Sequence, residues 1–371
     1  MKKLAKILYI APNLRLSNGV TSFLMNAYPY VCSEGYRADF LLIQKVDSPF
    51  NSIVEKNGGK IYVYPEKNKY RIENYDYVKK VLSDGGYDII HVNTSGMWAY
   101  WVLLAADRLG VKMRIYHSHN PKETTSLKGI VREELFDRLC FKHTNYFLAC
   151  TEHAGISVFG KQKFTVVKNG IDYPKFYYSE SNRIKHRKEF YIEDSIVVGT
   201  VCRQCDQKNP FYTIDIMKEL CEINPNFKLT WIGTGPLLSS VKEYAKKKGL
   251  EKNVLFLGDR ADISELYSMM DVFLLPSKYE GLGIVYIEAQ VNGLPCFASD
   301  VVPRDTRISD HIFYMSINNA PCQWAKEIQN CVNELQHEGK IHRNPFTYSL
   351  DYDVTNTSHS LIEMYRQLGV K

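Results

Sequence analysis

The hydrophobic positions of this chain fall into two alternating patterns. Short apolar runs without a helical period, at 5–11 (AKILYIA), 38–42, 60–63, 89–92, 113–116, 146–150 and 164–167, read as buried parallel strands. Longer stretches at 20–32, 75–82 and 95–109 carry apolar residues that suit helices packed on a sheet. The alternation resumes with strands at 196–201, 227–232, 254–257 and 271–275. Helices are expected up to about residue 223, then at 284–292, 322–335 and 353–368. Strands alternating with helices predict an α/β fold with doubly wound parallel sheets. At 371 residues the chain exceeds one ordinary core, so two such domains are expected. The Asn169-Gly170 turn and the polar stretch 177–188 put their boundary near Asp172. This gives domains 1–172 and 173–350, with a terminal helix in 351–371.

Composition narrows the class more than the chemistry. With 45% hydrophobic and 24% charged residues, and neither repeats nor low-complexity tracts, the chain reads as a soluble globular protein. Its longest apolar run, 97–106 (MWAYWVLLAA), is about half a membrane span and reads as a core helix. Met1, Lys2 and Lys3 precede a strand instead of a signal-type stretch, so a cytoplasmic protein without export signal is expected. Nine cysteines in hydrophobic contexts point to reduced thiols, and Cys202 with Cys205 lacks the second pair of a zinc site. A net charge of +6 is too small and dispersed for nucleic acid. It suits an anionic nucleotide or an anionic membrane surface.

The densest chemistry lies in 277–303. After the strand at 271–275, Pro276 opens a loop that reaches Glu280-Gly281-Leu282-Gly283, and a largely apolar helix follows from Ile284. That helix carries Glu288, a carboxylate that burial would penalise unless hydroxyl groups satisfied it. Glu280 sits in the loop before the helix N-terminus, where backbone N–H groups favour anions. Alternatively, Glu280 is a solvated loop acid and Glu288 a helix acid bonded to a neighbour. Both lie at the carboxyl end of a parallel strand, where open α/β sheets bind ligands. Arg203 and Lys208, on the loop after the strand at 196–201, offer a forked donor and a point charge beside another helix N-terminus, as a diphosphate requires. Gly19 stands between the first strand and the first helix, and His117 and His119 close the strand at 113–116. The run Gly233-Thr234-Gly235-Pro236 lacks the third glycine and the acidic residue of a dinucleotide fingerprint, which disfavours a Rossmann dehydrogenase.

The stretch YSMMDVFLLPSKYEGLGIVYIEAQVNGLPCFASD resembles the donor-site signature of retaining glycosyltransferase family 4, a GT-B family, in its exopolysaccharide and capsule branch. The resemblance extends more loosely over nearly the whole chain. It implies a GT-B fold: two Rossmann-like domains facing a cleft, hinged near 168–172, with the C-terminal helix crossing back to the first domain. It implies transfer of a sugar, with retention, from a nucleotide-diphosphate donor to a saccharide or lipid-linked saccharide acceptor. Glu280 would contact the donor sugar, Glu288 the ribose, Arg203 and Lys208 the diphosphate, and Gly281, Leu282, Gly283 and Ile284 would lend backbone donors. Gly19 would abut the diphosphate, and His119, in preference to His117, would contact the sugar. UDP is the expected nucleotide by association, with no metal and no other cofactor. The Asp351-Tyr352-Asp353 triplet reads as a helix N-cap at Asp353 in preference to a metal site. Beyond Pro303, residues 304–309 depart from the family's glycine-rich continuation, so acceptor specificity is not carried over. The basic amphipathic segment 121–143 suggests a helix on its own sheet or a peripheral contact with the inner membrane leaflet. Two other readings remain: a nucleotide-sugar 2-epimerase, and a non-catalytic sugar-nucleotide-binding partner of another transferase.

Overall fold

The computed structural model of the chain describes residues 5–16, 18–122, 126–337 and 349–367. Met1, Lys2 and Lys3, part of the 121–143 segment, and Leu368 at the end of the last expected helix lie outside the described residues. The chain separates into two compact units, Met1–Ile171 with Asp351–Lys371, and Asp172–Leu350.

The first unit alternates as β1 (Lys6–Ala11), α1 (Gly19–Ser33), β2 (Arg37–Leu42), α2 (Pro49–Lys56), β3 (Ile61–Val63) and α3 (Ile72–Gly85). It continues with β4 (Ile89–Val92), α4 (Gly96–Arg108), β5 (Met113–Ser118), α5 (Leu127–Phe141), β6 (Tyr146–Ala149), α6 (Glu152–Phe159) and β7 (Thr165–Val166). The second unit begins with α7 (Tyr173–Phe176), α8 (Glu180–Glu189), β8 (Ile196–Val201), α9 (Pro210–Ile223), β9 (Phe227–Ile232), α10 (Leu238–Lys247) and β10 (Val254–Gly258). Then come α11 (Ile263–Leu266), β11 (Val272–Leu275), α12 (Ile284–Val291), β12 (Cys296–Ser299), β13 (Ile312–Met315) and α13 (Pro321–His337). Last is α14 (Val354–Gln367), which returns to the first unit.

In the first unit the sheet order is β3-β2-β1-β4-β5-β6-β7, with every ladder parallel. Period-two alternation divides its core. Ile7, Tyr9 and Ala11 of β1 face Phe23, Leu24 and Tyr28 of α1 and Leu361, Ile362 and Tyr365 of α14. Leu8 and Ile10 point the other way, toward Val102 and Leu103 of α4. The start of α14 is fixed by backbone: Ile171 N donates to Tyr352 O at 2.7 Å and Val354 N to Ile171 O at 2.9 Å. Asp353 Oδ1 accepts from Thr355 N at 2.9 Å, the N-cap geometry, while Asp351 pairs with Lys168.

The second sheet runs β10-β9-β8-β11-β12-β13, again parallel throughout. Its core gathers Trp231, Phe273, Phe297 and Trp324 from both faces. The polar stretch 177–188, which marked the approach to the boundary near Asp172, is mostly α8 and lies within the second unit. Its apolar pattern is faint because charge anchors it: Arg183 and Arg187 reach Asp271, just before β11, at 2.6 and 2.5 Å. Those guanidinium groups hold the Asp271 carboxyl below its usual range against the opposing effect of burial. The segment 304–309 is pinned by the buried Gln290 of α12. Gln290 Oε1 accepts from Ile308 N, Ser309 N and Ser309 Oγ, and Nε2 donates to Thr306 O at 2.7 Å.

Candidate active site

Strand order reverses between β8 and β11 in the second sheet, so the loops leaving their carboxyl ends run side by side. Backbone and side chains stitch these loops together. Lys278 N donates to Gln207 O at 2.8 Å, Gln207 Nε2 to Tyr279 O at 3.1 Å, and Lys278 Nζ reaches Asp206 at 2.6 Å. The stitch brings Lys208 onto Glu280. Nζ lies 2.6 Å from Glu280 Oε1, and Ser277 Oγ donates to the same oxygen at 2.6 Å. With the two side chains 15% and 4% exposed, this is a shielded ion pair, tolerable because it is both paired and hydrogen-bonded. Glu280 is therefore no solvated loop acid.

Gly281 and Leu282 are buried beneath the loop, and Gly283 turns the chain into α12 with φ of 79°. A Cβ at Gly283 would stand 2.7 Å from the Tyr286 ring, so glycine is needed there on two counts. Ile284 is the first residue of α12, and Glu288 lies one turn on, buried. Burial pushes the Glu288 carboxyl up to about 7, and a hydrogen bond that Tyr267 OH donates to Oε2 at 2.7 Å acts in the opposite sense. Arg203 differs from its neighbours: it is exposed and makes no ion pair or side-chain hydrogen bond among the described residues. Gly233, at φ of 118°, brings the loop after β9 onto this one, since a Cβ there would fall 2.5 Å from Cys202 O.

In the first sheet the order reverses between β1 and β4, and a pocket of about 400 Å³ opens at the carboxyl ends of β4 and β5. Its lining includes Asn93, Ser95, His117, His119, Lys122 and Arg132. His119 Nε2 lies 2.8 Å from Asn93 Oδ1. His117 is buried and its Nδ1 lies 3.1 Å from His91 Nε2. Burial holds His119 down to about 3 and His117 well below the imidazole range, so both are neutral near pH 7. Lys122 is tied to Glu134 and Asp137 at 3.0 and 2.9 Å. Gly19 opens α1, exposed, with open space where a Cβ would stand, while Asn18 Oδ1 accepts from Val20 N at 2.9 Å.

The expected residues thus form separate groups. Lys208 and Glu280 meet, Glu288 is bonded to Tyr267 instead, and among the described residues Arg203 makes no side-chain hydrogen bond or ion pair with another of the set. His119 belongs to the first unit, with Asn93. Sequence reasoning passed over His91, Asn93, Tyr267 and Ser277. For two of them a signal existed: from Ile89, period two places His91 and then Asn93 on the same face as His117 and His119, a polar row on an otherwise apolar side. On α5, Cys140 and Asp137 turn inward while Ile130, Val131 and Leu135 are exposed, the last two at 69% and 55%. Apolar spacing alone did not reveal which side of α5 is outward. No helix among the described residues is long and apolar enough to cross a membrane.

Comparison with known proteins agrees with this arrangement half by half. Residues 17–173 match the model of Glycosyltransferase Family 4, and residues 182–338 that of Glycosyl transferases group 1. A Bacillus subtilis (strain 168) glycosyltransferase, EpsF, is 26% identical over 94% of this chain and 93% of its own length. An Escherichia coli UDP-Gal:alpha-D-GlcNAc-diphosphoundecaprenol alpha-1,3-galactosyltransferase is 30% identical over 60% of each chain. Among solved structures, Anabaena HepE in complex with UDP and glucose superposes with a TM-score of 0.80 at 20% identity, over 98% of this chain and 100% of that one. This last likeness speaks for the GT-B fold.

Proposed function

The chain belongs to glycosyltransferase family 4, with the group 1 domain as its second half, and from that membership we propose that it moves a sugar, with retention, from a UDP-sugar to an acceptor hydroxyl on a lipid-linked saccharide. One observation carries the reading: the shielded Lys208–Glu280 pair at the reversal point of the second sheet, with buried Glu288 on the helix that follows. A purely structural loop has no need of two buried carboxylates flanking a glycine turn. The UDP-bound neighbour and the relative that uses a diphosphoundecaprenol acceptor support the choice of donor and acceptor.

In this mechanism the departing diphosphate gains negative charge. Arg203, which makes no ion pair among the described residues, meets it together with Lys208 and the start of α9. Glu280 Oε2, which accepts no hydrogen bond from a described residue, takes a hydroxyl of the donor sugar. Gly281 to Ile284 supply backbone donors, and Glu288 takes the ribose hydroxyls. His119 offers a neutral hydrogen-bonding group at the pocket of the first unit. No metal is invoked. The exposed Ile130, Val131 and Leu135, interleaved with Lys128, Arg132 and Arg138, would let α5 rest on an anionic inner leaflet from the cytoplasmic side.

The test is a donor screen in EDTA, recording nucleotide release and thermal shift for wild type and Glu288→Ala. One nucleotide sugar should stabilise the wild type, be slowly hydrolysed without divalent ions, and fail to stabilise the variant. Activity that appears only with a divalent ion or a second protein would overturn the assignment.

A further inference from the structure

Tyr9 of β1 and His91 of β4 stand directly opposite each other, and His117 follows on β5, all on the sheet face that α14 covers. Tyr365 of α14 links them. Its hydroxyl lies 3.2 Å from that of Tyr9 and 2.8 Å from His91 Nδ1, and His91 Nε2 lies 3.1 Å from His117 Nδ1. All four side chains are 2% exposed or less. Burial lowers both His91 and His117, so near neutrality each ring is uncharged, and the open question is which nitrogen holds its hydrogen.

Only two directions are self-consistent. If hydrogens point from Tyr9 to His117, Tyr9 donates to Tyr365, Tyr365 to His91 Nδ1, and His91 Nε2–H to His117 Nδ1, which leaves the His117 hydrogen on Nε2. Reversed, the row ends on the Tyr9 hydroxyl, whose hydrogen then has no acceptor among the described residues in a fully buried place. The first direction satisfies every donor inside the protein and sends the remaining one to the end that lines the pocket.

His119 is set independently. Asn93 Nδ2 donates to His91 O at 3.0 Å, which turns Asn93 Oδ1 toward His119, so His119 Nε2 carries the hydrogen and Nδ1 is a bare lone pair. The two rings lie 4.1 Å apart between centroids, and His117 Nε2 and His119 Nδ1 are buried without a partner among the described residues.

We propose that Tyr365, acting through His91, fixes His117 as the Nε2–H tautomer, so that His117 and His119 present one donor and one acceptor to a single sugar hydroxyl. A hydroxyl can accept from one nitrogen while donating to the other, whereas a phosphate or carboxylate oxygen would face the His119 lone pair with its own. Tyr365 is a positioning residue, reached from the opposite end of the sequence. The sugar as ligand rests on the glycosyltransferase reading; the direction of the relay does not.

Nitrogen-15 histidine labelling with two-bond correlation spectra near neutral pH reads the tautomers directly, with His117 assigned by loss of its signals in His117→Gln. Wild type should show the hydrogen of His117 on Nε2; finding it on Nδ1 overturns the proposal without any variant. Tyr365→Phe should yield a mixture of His117 tautomers and cut donor cleavage about tenfold, the size of one hydrogen bond. Tyr9→Phe should keep the Nε2–H form, because Tyr365 still donates to His91. An unchanged His117 spectrum in Tyr365→Phe sinks the relay. Tautomers as stated, in a protein that binds and cleaves no nucleotide sugar, would sustain the relay and defeat the sugar hydroxyl as its ligand.

Discussion

Two buried carboxylates on neighbouring stretches, Glu280 and Glu288, are held by opposite means. Glu280 has a cation and a hydroxyl within hydrogen-bond reach, whereas Glu288 has a single phenol and pays for its burial with a pKa near 7. Because the folded value lies above the ordinary 4.5, Glu288 costs nothing below that pH, and wild-type stability falls as pH rises from there through about 7. Glu288→Gln escapes this loss. Above pH 7 the variant should be more stable than wild type by on the order of 1–3 kcal/mol, and near pH 4 the two should coincide, in urea unfolding at both pH values. A difference that does not depend on pH would mean that burial does not raise the Glu288 carboxyl. For Lys208→Met the sign is reversed, since the buried Glu280 side chain loses its cation. That variant should lose about 3 kcal/mol, and the double variant Lys208→Met with Glu280→Gln should recover most of it. Failure of the double variant to recover would show that packing, not charge, holds the two loops together.

At the scale of elements, what was legible in the sequence depended on how each element is stabilised. Strands such as β1, β4, β8 and β11 announce themselves because burial on both faces demands continuous apolar residues. By contrast, α8 is built from charge: ESNRIKHRKE buries Arg183, His186 and Arg187, which no apolar template can detect. The contact between His91 and Tyr365 was hidden for a different reason: its partners come from a distant strand and from the far end of the chain. Glu280, Glu288, Arg203, Lys208 and His119 stand at glycine turns and strand ends, but it was the resemblance to a known family that singled them out, and the Lys208 to Glu280 contact follows from strand order, which local sequence does not encode. The clamp of α8 is itself testable. Asp271→Asn leaves two buried guanidinium groups facing a neutral side chain and should cost about 3–5 kcal/mol. The wild-type Asp271 carboxyl is depressed, so its contribution is present above the ordinary carboxylate range and is lost as pH falls below it. Acid unfolding should therefore be steeper in wild type than in Asp271→Asn, and parallel acid limbs would rule the clamp out as its source.

For the molecule as a whole, the chain's last described segment completes the unit that its first residues begin. The core of the second unit draws on residues between Ile192 and Val332, and Tyr173 OH donates to Ser349 O at 2.9 Å, so that unit closes on itself. The first unit cannot do so without α14. Leu361, Ile362 and Tyr365 are almost fully buried against Tyr9, Phe23 and Tyr28, and burying three such side chains contributes about 5–9 kcal/mol. That compares with a total of about 5–15 kcal/mol for an ordinary domain, so their removal should be decisive. A chain ending at Leu350 should keep a protease-resistant fragment starting near Asp172 while being cleaved throughout the first 171 residues, with partial loss of helical circular dichroism. If the truncated chain resists cleavage in both halves, α14 does not complete the core. Tyr365 would then hold His91 from a helix the fold can spare, which reading the histidine tautomers in the truncated chain would expose.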